Sequence, residues 1–419
     1  MPFVRRNAIA SFLRALGPAI FLGASLWAPV AAAETGPADA AAGHSTAPDA
    51  PPSAAETAQP ASPARPPSKF KSEEDGWLDI SGFLDKSYGF VPLVIPITEP
   101  AVGYGAAGGL VFIDRPQGET PGAFARPNLT VVGGMATENG TRGVLVGDVR
   151  HWDDDRVQTV IGGIDASVNL DFFGIGKDAQ LNKHPLSYNL EPLGGAARGR
   201  YRFGDSHLWA GLSYALADTQ ISVDEAPSSA ALLNAPSRSR VGGLTPSVAY
   251  DTRDNIFTPT RGAFVEGTSG FFDPDFGGDD TFQRVSTIYI QYLPLHPKVT
   301  LGVKGEATFT FGDTPFYLLP FISLRGAPVM RYQGQEAADV ETEARWQCWR
   351  RISVVGFVGY GAAWNDFQHF DNTVSIVTGG TGVRYELARK YGLHAGLDVA
   401  WGPDDTAVYI QFGSAWARP

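Results

Sequence analysis

Apolar and polar residues alternate along successive segments that fill the chain from residue 100 to its end. In one such segment Leu301 and Val303 lie on one face, whereas Lys304 and Glu306 lie on the other. Alternation with a period of two predicts β-strands whose two faces meet different surroundings. No apolar stretch in this region approaches the ~20 residues that a transmembrane helix needs.

The predicted strands differ from those of a soluble β-sandwich, which also alternate. They run for about 10 to 18 residues, whereas strands of globular proteins usually have about 5 or 6. They follow one another without a predicted helix, and their polar faces carry charges of both signs, as in the wet lumen of a membrane barrel. The sequence therefore predicts an all-β fold, a transmembrane antiparallel β-barrel.

The number of strands follows from counting the alternating segments. The count is about 16 with a weak first segment at residues 88–97, and about 15 without it. Single-chain bacterial barrels have even strand numbers, so we predict 16 strands with both chain ends in the periplasm.

The N-terminus carries an export signal. Arg5, Arg6 and Arg14 precede an apolar run over residues 15–30, and three alanines follow it. This pattern predicts a signal peptide over residues 1–33 that is cleaved at its end, which implies export to the outer membrane. The alternative is a membrane anchor helix, but glycine and proline interrupt the run and no stop-transfer flank follows it.

A low-complexity tract separates this signal from the predicted barrel. It is rich in alanine, proline, serine and threonine and has too few apolar groups to offset the entropy of ordering. We therefore predict a disordered periplasmic leader over residues 34–76 and a barrel over residues 77–419.

Charge and cysteine content exclude several classes of function. The net charge of −11 argues against nucleic acid, which requires a basic surface. A single cysteine, Cys348, allows neither an internal disulfide nor a multi-cysteine metal site. The predicted partners are outer-membrane lipid and a possible periplasmic protein, and no cofactor is predicted.

Several stretches of the second half of the chain resemble the barrel of the BamA/TamA-type outer-membrane assembly factors, the bacterial surface antigen family. The segment from Tyr250 to Gly262 is similar to the family's strand–turn–strand signature through Asp251, Arg253, Asp254, Pro259 and Gly262. Leu324, Arg325 and Gly326 are similar to its loop motif. Further similar stretches are 341–345, 357–361, 382–385, 397–400 and 409–415.

The resemblance implies a role for the loop arginine. In the family this arginine folds back into the lumen and pairs with acidic groups. Alternation places Glu341, Glu343 and Arg345 on one face of their strand, and we expect Glu343 to be the lumenal partner of Arg325. The alternative is that Arg325 is a solvated loop residue.

The chain also departs from the family pattern. Gly359 stands where the family has an aspartate, and Ala327 stands where it has an aromatic residue. No POTRA domain, the periplasmic substrate-binding module of the family, fits before the predicted barrel. Three functions therefore stay open: insertion or translocation of a protein or lipid substrate at the seam between the first and last strands, a passive channel or structural barrel, and a lipid- or peptide-hydrolysing enzyme.

Motifs for catalysis and metal binding are weak. The mature chain has neither a Gly-x-Ser-x-Gly nor a His-Glu-x-x-His motif, and its histidines are scattered, so we predict no enzyme. The acidic loop at residues 273–280 could attract calcium, but its spacing does not match an EF-hand and a solvated loop is favoured. The aromatic residues predicted to face the lipid as an interfacial belt are Trp346, Trp364, Tyr385, Trp401 and Trp416.

Overall fold

A computed structural model describes most of the chain after residue 69. The described residues are 70–72, 74–81, 89–114, 128–176, 181, 184–223, 236–365, 372–404 and 406–416. They form one 16-stranded sheet in which each strand is antiparallel to the next in chain order, which confirms the predicted all-β antiparallel barrel. The predicted signal peptide and residues 34–69 of the predicted leader lie outside the described residues.

The strand bounds agree closely with the alternating segments of the sequence. The strands are β1 Gly89–Glu99, β2 Gly103–Asp114, β3 Asn128–Thr137, β4 Arg142–Trp152, β5 Val157–Phe172, β6 Leu186–Arg202, β7 Leu208–Val223, β8 Arg238–Asp251, β9 Gly262–Phe272, β10 Phe282–His296, β11 Val299–Gly312, β12 Glu336–Trp349, β13 Ile352–Trp364, β14 Val374–Ala388, β15 Leu393–Trp401 and β16 Thr406–Phe412. Short 3-10 turns occupy Pro274–Phe276, Phe316–Leu318 and Arg389–Tyr391. Within the described part of the chain, no helix is long and apolar enough to cross a membrane.

The strands present apolar residues to the outside of the barrel. Their inward residues are polar, or are apolar residues buried inside the barrel. In β13 the outward Val358 and Tyr360 are 56% and 51% exposed, whereas the inward Val355 and Phe357 are buried. Such a row of exposed apolar side chains is favourable on a lipid face and unfavourable in water. The sequence therefore alternates because one face of each strand meets lipid and the other faces the lumen.

The two ends of the barrel have different connections. At one end the turns 153–156, 203–207, 297–298, 350–351 and 389–392 are short. At the other end most connections are longer, and the longest runs from residue 313 to residue 335. Bacterial barrels have short periplasmic turns and longer extracellular loops, so the short-turn end faces the periplasm, as does the end of β16.

The long loop 313–335 folds into the lumen rather than away from the barrel. Its Tyr317, Leu318 and Val329 are buried in an apolar cluster with Phe272 and Phe282 of the barrel wall. The rings of these two phenylalanines stack with centroids 4.4 Å apart. The loop thus packs against the inner wall of the barrel in its extracellular half.

The end of the chain corrects one prediction. β16 stops at Phe412, and Gly413 takes a φ of +77°, which is accessible to glycine at little cost. The chain then turns inward, so Trp416 is buried in a cluster with Ile290 and Tyr292. The predicted outward position of Trp416 is therefore wrong, because the strand period ends before it. The other predicted belt residues, Trp346, Trp364, Tyr385 and Trp401, lie on outward faces.

Candidate functional site

The loop motif lies deep inside the barrel. Leu324 and Arg325 have no exposed surface. Gly326 has a φ of +91° and its N–H donates to the Tyr409 hydroxyl at 2.8 Å. A Cβ at Gly326 would lie 3.0 Å from the carbonyl oxygen of Trp401. Glycine is thus required both by the backbone conformation and by the close approach of β15.

Arg325 binds carboxylates from two parts of the barrel wall. Its Nη2 lies 2.8 Å from Oε1 of Glu341, and its Nη1 lies 2.7 Å from Oε2 of Glu343 and 2.8 Å from Oδ2 of Asp398. Its backbone N–H also donates to Glu341 at 3.2 Å. A buried guanidinium is stable only when such partners replace its water, so these contacts fix the loop to β12 and β15.

Further groups enclose this cluster. The guanidinium of Arg325 stacks on the Phe357 ring, with Cζ 3.6 Å from its centroid. Trp416 Nε1 donates to Glu341 Oε1 at 2.6 Å, and Nη2 of Arg384 donates to Asp398 at 2.8 Å. Two arginines thus share three carboxylates, and the C-terminal tail closes the cluster.

The structure places Arg325 beside the predicted partner Glu343 and adds partners that sequence reasoning missed. Asp398 is buried on the inward face of β15, but alternation alone does not reveal which loop a lumenal side chain meets. At Gly359, the family's aspartate position, a Cβ would lie 2.8 Å from Leu324. Glycine there makes room for the loop, and Asp398 supplies a carboxylate from β15 instead.

A second ion pair holds the same loop. Lys304 Nζ lies 2.7 Å from Asp339 Oδ1 and donates to the carbonyl of Ser323 at 2.9 Å. The N–H of Ser323 donates to Asp339 at 3.1 Å. The loop is therefore anchored on both sides of Leu324.

The family signature turn, residues 252–261, forms a compact unit at the periplasmic end. Arg253 makes a bidentate pair with Asp251, at 2.8 and 2.7 Å. Asp254 accepts the N–H of Thr260 at 2.9 Å. Gly262 has a φ of +96°, and a Cβ there would meet the Thr252 carbonyl oxygen at 2.1 Å. The signature residues thus shape the turn itself.

This turn also reaches across to other parts of the rim. The Pro259 carbonyl accepts from Arg345 at 2.9 Å, and Asn255 Nδ2 donates to the Tyr391 carbonyl at 2.9 Å. Phe257 packs with Tyr391 and Leu393. The turn after β8 is thereby joined to strands β12, β14 and β15.

The seam between β1 and β16 has no backbone ladder in the described residues, although the two strands touch. Thr98 Oγ1 donates to the Val408 carbonyl at 3.1 Å. β1 begins at Gly89, nine residues before Thr98, whereas β16 ends at Phe412, four residues after Val408, so the first residues of β1 extend beyond the end of β16. The barrel is therefore only nearly closed.

A proline helps to keep the seam unpaired. Pro96 lies two residues before Thr98 in β1 and has no N–H to donate. Proline is tolerated in a strand where its nitrogen faces an unpaired edge, and in β1 that side faces β16. The loop also reaches this strand, because the Val329 N–H donates to Glu99 at 3.1 Å.

The acidic loop contains structural hydrogen bonds. Asp273 accepts from the N–H of Asp275 and from Thr281, and Asp279 accepts the N–H of Arg240 at 2.7 Å. Over the described residues, no group of three or more histidine, cysteine or acidic side chains could hold a metal ion.

Part of the chain matches a known protein family. Residues 151–323 match the Omp85 superfamily domain. This part of the chain is therefore similar to the Omp85 superfamily domain. This fold indicates an outer-membrane location. Comparison with curated proteins gave no match.

Solved structures share this fold. BamA from Haemophilus ducreyi lacking POTRA domains 1–3 superposes with a TM-score of 0.50 and 14% identity, covering 77% of this chain and 68% of that chain. CdiB from Acinetobacter baumannii superposes with a TM-score of 0.51 and 10% identity, covering 77% of this chain and 58% of that chain. CdiB from Escherichia coli superposes with a TM-score of 0.53 and 11% identity, covering 77% of this chain and 61% of that chain. The chain thus spans less than two thirds of either CdiB chain.

Proposed function

We propose that this barrel assists the insertion or translocation of a protein or lipid substrate at the seam between β1 and β16. The observation that carries the proposal is that these strands touch without a backbone ladder. A periplasmic protein that delivers the substrate is part of the same proposal.

The chemistry of the seam supports this role. Unpaired backbone N–H and C=O groups in hydrocarbon cost several kcal/mol each. A substrate strand could satisfy them by pairing with the exposed edge, the mode of recognition known as β-augmentation. The unpaired edge is thus a binding surface for extended backbone.

The loop anchored inside the lumen favours this role over a passive channel. Loop 313–335 occupies the extracellular half with apolar side chains, and Arg325 and Lys304 fix the loop to the wall. A small solute would have to displace this packing, whereas a substrate at the seam would not. The Omp85 match also supports a transport role over hydrolysis.

A disulfide across the seam tests the proposal. The pair Thr98→Cys and Val408→Cys is introduced together with Cys348→Ser, and the protein is reconstituted in liposomes. The probes are the urea-unfolded precursor of an eight-stranded barrel and a fluorescent phospholipid. We expect oxidation to block insertion of one probe or transfer of the other.

A matched disulfide controls for cross-linking itself. Val340 and Tyr360 face each other on the paired strands β12 and β13, and their cysteine pair should leave activity unchanged. Full activity of the oxidised seam pair would contradict the proposal. Steady conductance in planar bilayers that persists after oxidation would favour the channel.

A further inference from the structure

The inner wall of the first five strands is apolar in the periplasmic half of the barrel. Inward positions on this wall form rows that run from strand to strand. According to the strand registers, one row contains Leu93, Gly109, Gly133, Leu145 and Ile164. The next row towards the periplasm contains Val111, Val131, Gly147 and Gly162. Because the interior of a membrane barrel is ordinarily polar, an apolar wall there points to an apolar ligand.

The side chains of this wall face the lumen and are only partly covered. Met135 belongs to the apolar cluster of the lumenal loop, so residues of the same parity on β3 face inward, as do their partners on neighbouring strands. Closer to the periplasm, Leu93 is 44% exposed. Val111, Val131 and Leu145 are half-buried. A group of partly exposed apolar side chains is typical of a ligand-binding groove.

Glycine residues make the same wall recessed. No side chain projects from the inward glycines Gly109, Gly133, Gly147 and Gly162. Three strand spacings of ~4.8 Å separate β2 from β5, which makes the wall about 14 Å wide. One leaflet of a ~30 Å hydrocarbon core is about 15 Å deep. The inward wall of β2–β5, here called the groove, therefore matches an acyl chain in width.

An arginine ladder borders the groove on β6. Arg198, Arg200 and Arg202 share the inward face of this strand at intervals of two residues, or about 6.6 Å. Arg198 lies opposite Val160 of β5, directly beside the groove. Arg198 and Arg200 are each 8% exposed. Three cations thus lie together inside the barrel, next to an apolar surface.

Contacts within the wall hold the ladder in place. Arg200 and Arg202 lie against the ring of Trp209, with Cζ 4.8 and 5.7 Å from its centroid. Gly211 leaves room for Arg200, because a Cβ at Gly211 would lie 3.2 Å from the Arg200 Cβ. Nη2 of Arg198 lies 2.5 Å from Oε1 of Glu266. The guanidinium groups are therefore positioned before a ligand binds, which lowers the entropy cost of binding.

The ladder retains capacity for hydrogen bonds. Among the described residues, Nε of Arg198 and Nε of Arg202 are buried without a hydrogen-bond partner. Ser213 lies opposite Arg198 and adds a buried hydroxyl. A planar guanidinium binds a phosphate group through two parallel bonds. The ladder therefore suits a phosphate group that is attached to an apolar chain.

We propose that this wall binds a phosphate-bearing lipid, with an acyl chain in the groove and the head-group phosphate on the arginine ladder. The proposal rests on the seam function proposed above and names the lipid as its substrate class. The apolar row begins at Leu93 of β1, one of the two seam strands, so a lipid that enters through the seam meets apolar surface first. The apolar wall and the cations each complement one end of the same molecule.

Photo-crosslinking with a lipid probe tests the groove. The probe is phosphatidylglycerol with a diazirine at the end of one acyl chain, added at low mole fraction to the full chain in detergent micelles. We expect label on the inward Val131 and Leu145 as well as on the exposed, outward Val132 and Val144, mapped by mass spectrometry. Adjacent residues on one strand control for each other because they face opposite sides of the wall. Label confined to Val132 and Val144 would overturn the groove.

Substitutions in the ladder test the head-group contact. Arg200→Gln with Arg202→Gln should lower inward labelling about tenfold, since hydrogen bonds to charged groups are among the stronger ones, and should leave outward labelling unchanged. Arg238→Gln with Arg240→Gln is the matched control, because these arginines are also two residues apart on one strand but are exposed. Equal inward labelling in the two double variants would overturn the role of the ladder.

A variant of the groove keeps the test decisive if the ladder variant does not fold. Val131→Thr keeps the branched shape and adds a hydroxyl, which is unfavourable next to an acyl chain. We expect it to lower the labelling of Leu145. Val132→Thr places the same hydroxyl on the opposite face and should not. Equal labelling of Leu145 in the two variants would contradict the groove.

Two further probes separate the lipid from its parts. Diacylglycerol with the same diazirine chain lacks the phosphate and should label Leu145 about tenfold less than phosphatidylglycerol does. Inorganic phosphate at the concentration of the lipid should not displace it, because phosphate makes no apolar contact. Equal labelling by diacylglycerol, or complete displacement by inorganic phosphate, would overturn a site that binds both parts of a lipid.

The groove and the proposed function can fail separately. Inward labelling in a barrel whose oxidised seam pair still transfers lipid would support the groove and contradict the seam. Outward labelling alone, in a barrel whose oxidised seam pair no longer inserts the protein probe, would support the seam and overturn the groove.

Discussion

Arg325 and Asp398 lie 2.8 Å apart inside the barrel, although 73 residues separate them in the sequence. The contact joins the loop between β11 and β12 to strand β15, next to the last strand of the sheet. It therefore links the lumenal loop to the β16 side of the seam.

Removal of the loop arginine should destabilise the barrel. Arg325→Ala leaves Glu341, Glu343 and Asp398 buried with one fewer cation, a change that costs about 3–5 kcal/mol for a buried pair. Urea unfolding in lipid vesicles measures the loss. Arg238→Ala, which breaks an exposed pair with Asp218, should change stability little. Equal losses in the two variants would show that the loop is not anchored by Arg325.

A methyl group at Gly359 should disturb the docked loop. Gly359→Ala places a Cβ 2.8 Å from Leu324, and such overpacking costs about 1–3 kcal/mol. Gly356→Ala on the same strand meets nothing within 4 Å and serves as the control. Unfolding measurements that rank the two variants equally would contradict the close approach of Leu324.

The fold was largely predictable because lipid and lumen impose a period of two on every strand. The loop arginine and Glu343 were predictable through the family resemblance and the alternation of β12. Asp398 as a partner, the inward turn at Gly413 and the docking of residues 74–81 on Arg351 were not. Each depends on contacts between distant segments or on one backbone torsion, and neither leaves a periodic pattern.

Restoring an N–H donor to β1 should close the seam. Pro96→Val returns a donor to the part of the edge that faces β16, which allows a continuous ladder. We expect slower amide exchange in Ile410 and Phe412 and lower activity in the liposome assays. Leu93→Val alters the side chain without adding a donor and should leave both unchanged. Unaltered exchange in the Pro96→Val variant would show that this proline does not keep the seam open.

Residues 74–81 dock on the periplasmic rim, where Arg351 pairs with Asp75 at 2.6 Å and with Asp79 at 2.8 Å, and this docking should depend on pH. A side-chain bond from Arg351 lowers the pKa of Asp75 below its ordinary value of 3.8. Burial raises the pKa of Asp79, but bonds from Ser81 and Arg351 outweigh it and lower this pKa as well. Other charged groups near the pair are Glu74, Glu386 and Arg389.

Because both pKa values are lowered, the docked state loses stability as the pH falls. The stabilisation that Asp75 and Asp79 give to docking is fully present above pH 3.8 and is lost as the pH falls through their lowered pKa values. A spin label at Phe70→Cys in the Cys348→Ser background should stay immobilised at neutral pH and become mobile only well below pH 4. Loss of immobilisation between pH 5 and 7 would point to a different titrating group.

The central claim is that the barrel acts through its seam, and redox reversal in one sample tests it most directly. Thr98→Cys with Val408→Cys, oxidised in liposomes, should reduce probe insertion or lipid transfer to the level of protein-free liposomes. Addition of a reductant to the same sample should restore it. Activity that is the same before and after reduction, with the disulfide verified by mass, would contradict the claim.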